Sequence, residues 1–336
     1  MQRKCLLIAT LIFLGSPMFY PAELPAAPYY EGKIITLLVG TEPGGGTDRL
    51  GRLIAKYIPK FIPGKPTVVI KNMSGAGGLV PSNYIYSVSK PDGLTFGTFN
   101  RGIIFSQLLQ VKGVKFDMTK YSWLGSAATE STLLAIRSDL PYKTYEDLRK
   151  AKEPLIMGTQ VPGTATYDNA SIFQHVLGLK MKLITGYASS TEILLAIERK
   201  EADGVALAYG ALQPYLERGL VRPIFRTKAS LPPIEKVPVI NDLTDNEMSK
   251  RILSMLAVTD IVGRPYVAPP NLPADKLKIL RNAFAKVISD REANAEAKRL
   301  KVEMEYLSAD AALKEVRYFL NQSPETVREF SKYIKP

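Results

Sequence analysis

Glycine-rich turns between apolar segments and amphipathic helices constrain this chain most strongly. Residues 33–40, KIITLLVG, are rich in Ile, Leu and Val and predict a short buried strand. After the turn TEPGGGTDR, the apolar residues Leu50, Leu53 and Ile54 recur at three- and four-residue spacing and predict an amphipathic helix. A strand that turns directly into a helix is a building unit of a parallel sheet.

This alternation of strand and helix continues in two separate blocks. The first block covers residues 34–109, and the second begins at PLIMGT, residues 154–159. Two apolar segments that we expect to be extended, residues 122–138 and 255–273, lie at the borders of the second block. Charged helical patterns dominate from residue 274 onward. The sequence therefore predicts an α/β protein.

The placement of the two extended segments predicts how the domains are arranged. If both segments cross between domains, the second block is an insertion into the first. We expect domain I to comprise residues 28–130 plus 258–336 and domain II to comprise residues 131–257. The C-terminal helices would then return to domain I.

The first 27 residues have the layout of a secretory signal peptide. Arg3 and Lys4 precede an apolar stretch from Cys5 to Leu14, and small residues and prolines follow. The apolar stretch is shorter than the roughly 20 residues that a membrane-spanning helix needs. We therefore expect export to the periplasm with cleavage of residues 1–27. Cys5 is the only cysteine, so the exported chain would contain neither thiol nor disulfide.

The charge of the chain favours small anions over nucleic acid as ligands. The formal net charge is +12, but the basic residues are scattered among acidic ones and do not form one cluster. Export also argues against nucleic acid. A basic field attracts small anions, although a solvated basic surface is the alternative interpretation.

The glycine-rich turns lie where an open α/β sheet binds ligands, outside the carboxyl ends of its strands. In the first block these positions are Thr41–Asp48, Ser74–Gly78 and Asn100, and in the second block Gly158–Tyr167. Bare backbone N–H groups at a helix N-terminus suit an anion, while a plain tight turn is the alternative. The sequence of the first glycine-rich turn, residues 41–49, matches neither the phosphate-binding P-loop motif nor the dinucleotide-binding motif.

Several motifs together resemble the periplasmic receptors of tripartite tricarboxylate transporters, also called the Bug receptor family. They are Pro43-Gly44-Gly45-Gly46 with Asp48, then Gly75-Ala76-Gly77-Gly78, Pro91-Asp92-Gly93, the GTQVPGT loop, EADGVAL and VAPPNLPADKLKIL. The resemblance covers nearly all of the exported chain. It implies a two-domain periplasmic binding protein of type II-like fold, with two crossover segments and a ligand cleft between the domains.

The resemblance also implies a function and a site. Such a receptor closes on a small carboxylate and delivers it to a permease of one large and one small membrane subunit. Backbone amides of the first glycine turn and of the second-domain loop would hold the carboxylate. The positions nominated on this basis, with their neighbour Thr47, are Thr41, Gly45, Gly46, Thr47, Asp48, Ala76, Gly77, Asn100, Thr159, Gly163, Thr164 and Ala165.

Four further side chains are candidates with open alternatives. Tyr187 follows Gly186 at the expected cleft rim, where it would stack on the ligand or pack internally. Asp203 in EADG is either a ligand contact or a turn residue before a strand. Arg101 would pair with a distal ligand carboxylate or lie exposed at a helix start. His175, near a helix C-terminus, is interpreted as structural.

The rival function is an enzyme on the same two-domain fold, acting on a small anionic substrate. A hydrolytic triad would depend on His175, the only histidine, and the sequence contains no G-x-S-x-G elbow. No calcium-loop pattern or Cys/His cluster points to a metal. We therefore predict a monomeric solute receptor without catalytic activity, metal or cofactor.

Overall fold

The computed structural model describes residues 27–228, 232–300 and 302–334. Residues 1–26 of the predicted signal peptide lie outside the described residues. The strands are β1 (Ile34–Val39), β2 (Thr67–Asn72), β3 (Thr95–Thr98), β4 (Ser122–Ser126), β5 (Thr132–Arg137), β6 (Leu155–Gly158), β7 (Met181–Ile184), β8 (Gly204–Ala208), β9 (Val221–Arg226), β10 (Pro265–Ala268) and β11 (Leu307–Ser308).

Helices connect the strands and cover both sheets. They are α1 (Gly46–Tyr57), α2 (Leu79–Ser87), α3 (Ile103–Leu108), α4 (Tyr145–Arg149), α5 (Ala165–Val176), α6 (Ser190–Glu198), α7 (Tyr209–Glu217), α8 (Glu247–Val262), α9 (Ala274–Ser289), α10 (Arg291–Arg299), α11 (Ala309–Leu320) and α12 (Pro324–Ser331). Among the described residues, no helix has both the length and the apolar character needed to cross a membrane.

The strands form two mixed sheets of matching design. Sheet A has the order β11-β4-β10-β3-β1-β2, and sheet B has the order β7-β6-β8-β5-β9. In sheet A, β1 pairs in parallel with β2 and β3, and antiparallel β10 lies between β3 and β4. In sheet B, β6 pairs in parallel with β7 and β8, and antiparallel β5 lies between β8 and β9. This two-sheet α/β architecture is the predicted fold class.

The chain passes between the sheets at two segments that are hydrogen-bonded to each other. Residues 127–131 connect β4 of sheet A to β5 of sheet B, and residues 263–264 connect α8 to β10 of sheet A. The Ala127 N–H donates to Arg264 O at 3.0 Å, and the Arg264 N–H donates to Ala128 O at 3.2 Å. The predicted crossovers near residues 130 and 260 are therefore adjacent in space. The domain boundaries placed around them stay a prediction.

The expectation that residues 255–273 are extended throughout was wrong. Residues up to Val262 continue α8, and only Pro265–Ala268 form a strand. The reason is burial: all residues from Met255 to Asp260 are buried, so this part of α8 has no polar face and no readable helical period. Helix α7 was not predicted, and Pro214 in its interior obscures its helical pattern.

Apolar packing extends from sheet A to sheet B. One buried cluster includes Trp123 of β4, Phe225 of β9 and Leu253 of α8. The C-terminal segment joins the sheets as well, because the Ser171 hydroxyl of α5 donates to Tyr333 O and the ring of His175 lies 5.3 Å from that of Tyr333. The His175 Nδ1 lies 2.7 Å from Ser171 O, so its polar contact is within its own helix.

Candidate ligand cleft

Loops at the carboxyl ends of both sheets face each other. We call residues 40–45, 73–78, 99–102 and 159–164 the cleft loops, since they follow β1, β2, β3 and β6. A Cβ added to Gly77 would lie 3.6 Å from Gly163 O, and one added to Gly102 would lie 4.0 Å from the same oxygen. The glycine turns of sheet A therefore approach the glycine loop of sheet B across the gap between the sheets.

The first glycine turn is organised by the buried carboxylate of Asp48. Its Oδ2 accepts the Gly44 N–H and the Arg52 Nε, each at 2.9 Å, and its Oδ1 accepts Arg52 Nη2 at 3.1 Å. Asn72 Nδ2 donates to Oδ1 at 2.8 Å and to Thr41 O at 3.0 Å. Burial alone would raise the pKa of Asp48, but these hydrogen bonds outweigh it and lower the pKa.

The contacts of Asp48 explain how the turn is held open. The Asp48 carboxylate is held by hydrogen bonds from its own loop and helix and from Asn72 of β2. It therefore fixes the position of Gly44 in the turn before α1. Gly45 and Gly46 then present bare backbone, and a Cβ on Gly45 would meet nothing within 4 Å. Ligand contact by Thr41, Gly45, Gly46, Thr47 and Asp48 remains a prediction.

Arg264 lies beside this turn, although no local motif in the sequence predicted it. A Cβ on Gly46 would come within 3.0 Å of Arg264 Nη2, and Arg264 Nη1 donates to Thr47 Oγ1 at 3.3 Å. Its Nη2 also lies 2.6 Å from Glu130 Oε1. A partly exposed cation thus stands at the N-terminus of α1, from a position more than 200 residues away in the chain.

The turn after β2 has a left-handed backbone, which favours glycine, and the turn after β3 is closed by a side chain. Ala76, Gly77 and Gly78 have φ of 47°, 63° and 108°, all in the left-handed region. Asn100 Oδ1 accepts the Gly102 N–H at 2.9 Å and closes the turn into α3. These predicted positions lie together on the sheet A side of the gap.

The loop after β6 carries the predicted positions of sheet B. Thr159 is buried and its N–H donates to Ile184 O at 2.9 Å, which ties the loop to the end of β7. The Thr164 hydroxyl donates to Val161 O at 2.6 Å, and α5 begins at Ala165. The Gly163 N–H donates to Asp168 Oδ1 at 3.2 Å.

Asp168 is the counterpart of Asp48 in sheet B, and the sequence analysis did not single it out. Each carboxylate lies in the first turn of a helix that follows a cleft loop, α1 after β1 or α5 after β6, and accepts a glycine N–H. Asp168 is 1% exposed, and its Oδ2 has no hydrogen-bond partner among the described residues. Burial raises the pKa of Asp168 to about 7, although the bond from Gly163 opposes this.

Tyr187 and Asp203 lie in different places. Tyr187 follows β7, and a Cβ on Gly158 would lie 3.5 Å from its ring, so it borders the cleft loop after β6. Asp203 precedes β8, and its Oδ2 accepts the Ile156 N–H at 2.8 Å near the start of β6. The structure therefore places Asp203 at the opposite edge of sheet B from the cleft loops, in the turn position that was its alternative interpretation.

Arg101 is buried, and its guanidinium is already paired with other side chains of the protein. It is 8% exposed, its Nη1 lies 2.9 Å from Asp260 Oδ1 and also contacts Glu130, and its Nη2 donates to Thr132 Oγ1 at 3.1 Å. Burial would lower the pKa of Arg101 and raise that of Glu130, but their opposite charges outweigh burial in both cases. Burial raises the pKa of Asp260.

This ion-pair network lies at the two crossover segments. Glu130 belongs to the first crossover and bridges Arg101 to Arg264 of the second. The Asp260 carboxylate accepts the Thr132 N–H at 3.0 Å, which fixes the start of β5. Among the described residues, no group of three or more His, Cys, Asp or Glu side chains could hold a metal ion.

Comparison with known families decides what this architecture is. A model described as the tripartite tricarboxylate transporter family receptor matches residues 52–320. The chain belongs to this receptor family. The UPF0065 protein in the TAR-I ttuE-ttuC' intergenic region of Agrobacterium vitis is 25% identical over 168 residues. That match covers 49% of this chain, which thus spans about half (48%) of the relative's length.

Several solved structures share the fold over nearly the whole chain. The periplasmic binding protein BugD is similar with a TM-score of 0.70 at 18% identity, covering 91% of this chain and 100% of BugD. R. palustris Rpa4515, solved with adipate, has a TM-score of 0.69 at 20% identity, covering 90% and 98%. MatC from Rhodopseudomonas palustris, solved with bound malate, has a TM-score of 0.64 at 17% identity, covering 93% and 100%.

Proposed function

We propose that this protein is a periplasmic solute receptor that captures a small carboxylate and delivers it to a membrane transporter. It acts as a monomer without a reaction of its own, and the transporter has one large and one small membrane subunit. The observation that carries the proposal is the opposition of Gly77 and Gly163: glycine loops from both sheets approach so closely that a Cβ added to Gly77 would lie 3.6 Å from Gly163 O.

The chemistry of these loops favours an anion. Helices α1 and α5 both begin at cleft loops, and the first-turn N–H groups of a helix attract negative charge. The guanidinium of Arg264 adds a positive charge beside Gly46. Membership of the receptor family and the carboxylates bound by MatC and Rpa4515 agree with this ligand class.

Closure would occur about the two crossover segments. The hinge we propose lies at the paired backbones of Ala127, Ala128 and Arg264, and the ligand would bind the closed form more tightly than the open one. A receptor needs only this difference in affinity, because the transporter performs the later steps.

A thermal-shift screen tests the ligand class. The mature protein is heated with malate, adipate, citrate, benzoate, glutamate, a sugar and a nucleotide, since a ligand that binds only the folded state raises the melting temperature. We expect a rise with at least one carboxylate and none with the sugar or nucleotide. A response to the sugar or nucleotide alone contradicts the proposal.

A pair of valine variants then tests the site. Gly46→Val places a side chain where the ligand carboxylate would approach the first residue of α1, and its Cβ meets only the flexible end of Arg264. Ala274→Val is the matched control, because Ala274 is the exposed first residue of α9. We expect Gly46→Val to abolish the thermal shift while the control retains it. If the ligand raises the melting temperature of both variants equally, the first glycine turn is not part of the binding site.

A further inference from the structure

The second oxygen of Asp168 is an unused acceptor inside the molecule. Oδ1 accepts the Gly163 N–H at 3.2 Å, but Oδ2 is buried and has no hydrogen-bond partner among the described residues. A buried carboxyl oxygen without a donor destabilises a structure, and such groups are rare. The arrangement therefore calls for a donor that the described chain does not supply.

The comparison with Asp48 shows that the chain can satisfy such a carboxylate when it is purely structural. Asp48 holds its glycine turn in the same way, and Arg52 and Asn72 saturate its remaining acceptor positions. In the described part of the chain, Asp168 has no cation and no side-chain amide as partner; its one donor is the Gly163 N–H. Burial raises the pKa of Asp168 to about 7, and the hydrogen bond from Gly163 is too weak to offset it.

The surroundings of Asp168 connect it to the cleft. It lines a small cavity with Gly163 of sheet B and with Gly102, Phe105 and Ser106 from the segment after β3. Gly102 and Gly163 both belong to the cleft loops, and Asp168 is the only titratable residue lining this cavity in the described part of the chain. Asp168 therefore lies beside the cleft loops, where a molecule bound between them would supply a donor.

We propose that Asp168 is a specificity-determining residue whose Oδ2 accepts a hydrogen bond from a hydroxyl or ammonium group of the ligand. This inference rests on the proposed receptor function. It narrows the ligand to a carboxylate that carries a donor, because a second ligand carboxylate at this point would be repelled. Hydroxy and amino acids fit, whereas plain mono- and dicarboxylates leave Oδ2 unsatisfied.

Calorimetric titration with matched ligands tests the inference. Three series are used at about pH 8, where the Asp168 carboxyl is mostly ionised: succinate, malate and aspartate; glutarate, 2-hydroxyglutarate and glutamate; propionate, lactate and alanine. In the series that binds, we expect the hydroxy or amino member to bind about tenfold or more tightly than the plain member.

Two variants separate recognition from loop support. Asp168→Asn keeps the size of the side chain and an acceptor but removes its charge, so the preference for the donor-bearing ligand should fall about tenfold. Asp245→Asn, at an exposed position, should preserve that preference. A merely structural role would weaken all members of a series equally in Asp168→Asn.

The outcomes distinguish this inference from the proposed function. Equal affinity of plain and donor-bearing members, or an equal loss for all members in Asp168→Asn, overturns the role of Asp168 and leaves the receptor function standing. If none of the nine compounds binds to the wild-type protein, and no carboxylate raises its melting temperature in the thermal-shift screen, the receptor function and the inference fail together.

Discussion

Replacement of Gly263 by alanine should disrupt the connection between the two sheets. Gly263 joins α8 to the second crossover segment with φ 47° and ψ −88°, and an added Cβ would lie 1.8 Å from Ala128 O in the first crossover. Because real Cβ atoms essentially never approach other atoms within 3.0 Å, the crossovers must separate by at least 3.0 − 1.8 = 1.2 Å.

The cost follows from what this separation breaks. The hydrogen bonds from Ala127 N to Arg264 O and from Arg264 N to Ala128 O hold the crossovers together, and each contributes about 1 kcal/mol. The left-handed φ adds about 1–2 kcal/mol for any residue with a Cβ. We expect Gly263→Ala to lower the free energy of unfolding by about 3–4 kcal/mol.

A matched glycine isolates the steric contribution. Gly219 also has a positive φ, 67°, but an added Cβ would meet nothing within 4 Å, so Gly219→Ala should cost only about 1–2 kcal/mol. Urea denaturation followed by circular dichroism measures both variants against the wild type. If Gly263→Ala loses no more stability than Gly219→Ala, the crossovers are not in the tight contact described here.

Two further predictions concern buried charge. Since the pKa of Asp168 rises from 3.8 to about 7 on folding, the folded state binds this proton more strongly, and stability should fall by up to about 4 kcal/mol as pH rises from about 4 to 7. Urea titrations at several pH values should show that the free energy of unfolding falls less with pH in Asp168→Asn than in the wild type. The same dependence of stability on pH in both proteins contradicts the burial argument. Arg101→Met would leave Glu130 and Asp260 without their shared cation and should cost about 3–5 kcal/mol in the same assay. Arg137→Met removes ion pairs to two partly exposed carboxylates, Asp139 and Asp203, and should cost about 1 kcal/mol. Equal losses in the two variants would refute the network.

The sequence predicted the elements that depend on local pattern. Short apolar segments followed by glycine turns gave β1, β2 and β6, since burial and backbone freedom at these positions are recorded in neighbouring residues. The adjacency of the two crossovers, in contrast, was visible only in the structure. Helix α8 was predicted only as far as about Met255, because its second half is buried and has no polar face to mark the helical period.

The charges around the cleft depended on the tertiary structure. Arg264 and Gly46 are far apart in sequence, and only the return of the chain through the second crossover places a guanidinium beside the first glycine turn. The difference between the hydrogen-bond partners of Asp48 and Asp168 also depends on the tertiary structure. Both stand at the start of a helix, but Asp48 meets an arginine of its own helix and an asparagine of the next strand, whereas Asp168 faces a cavity between the sheets.

The sequence by itself determined the fold class, the family and the position of the glycine loops, because each rests on residues close together in the chain. Which side chains share the cleft was decided only by the tertiary structure. Asp203 illustrates why a local motif does not locate a side chain in the fold. Its motif resembles that of the family, but the direction of β8 places Asp203 at the edge of sheet B away from the cleft loops. Strand direction and chain return are global properties, and no local pattern encodes them.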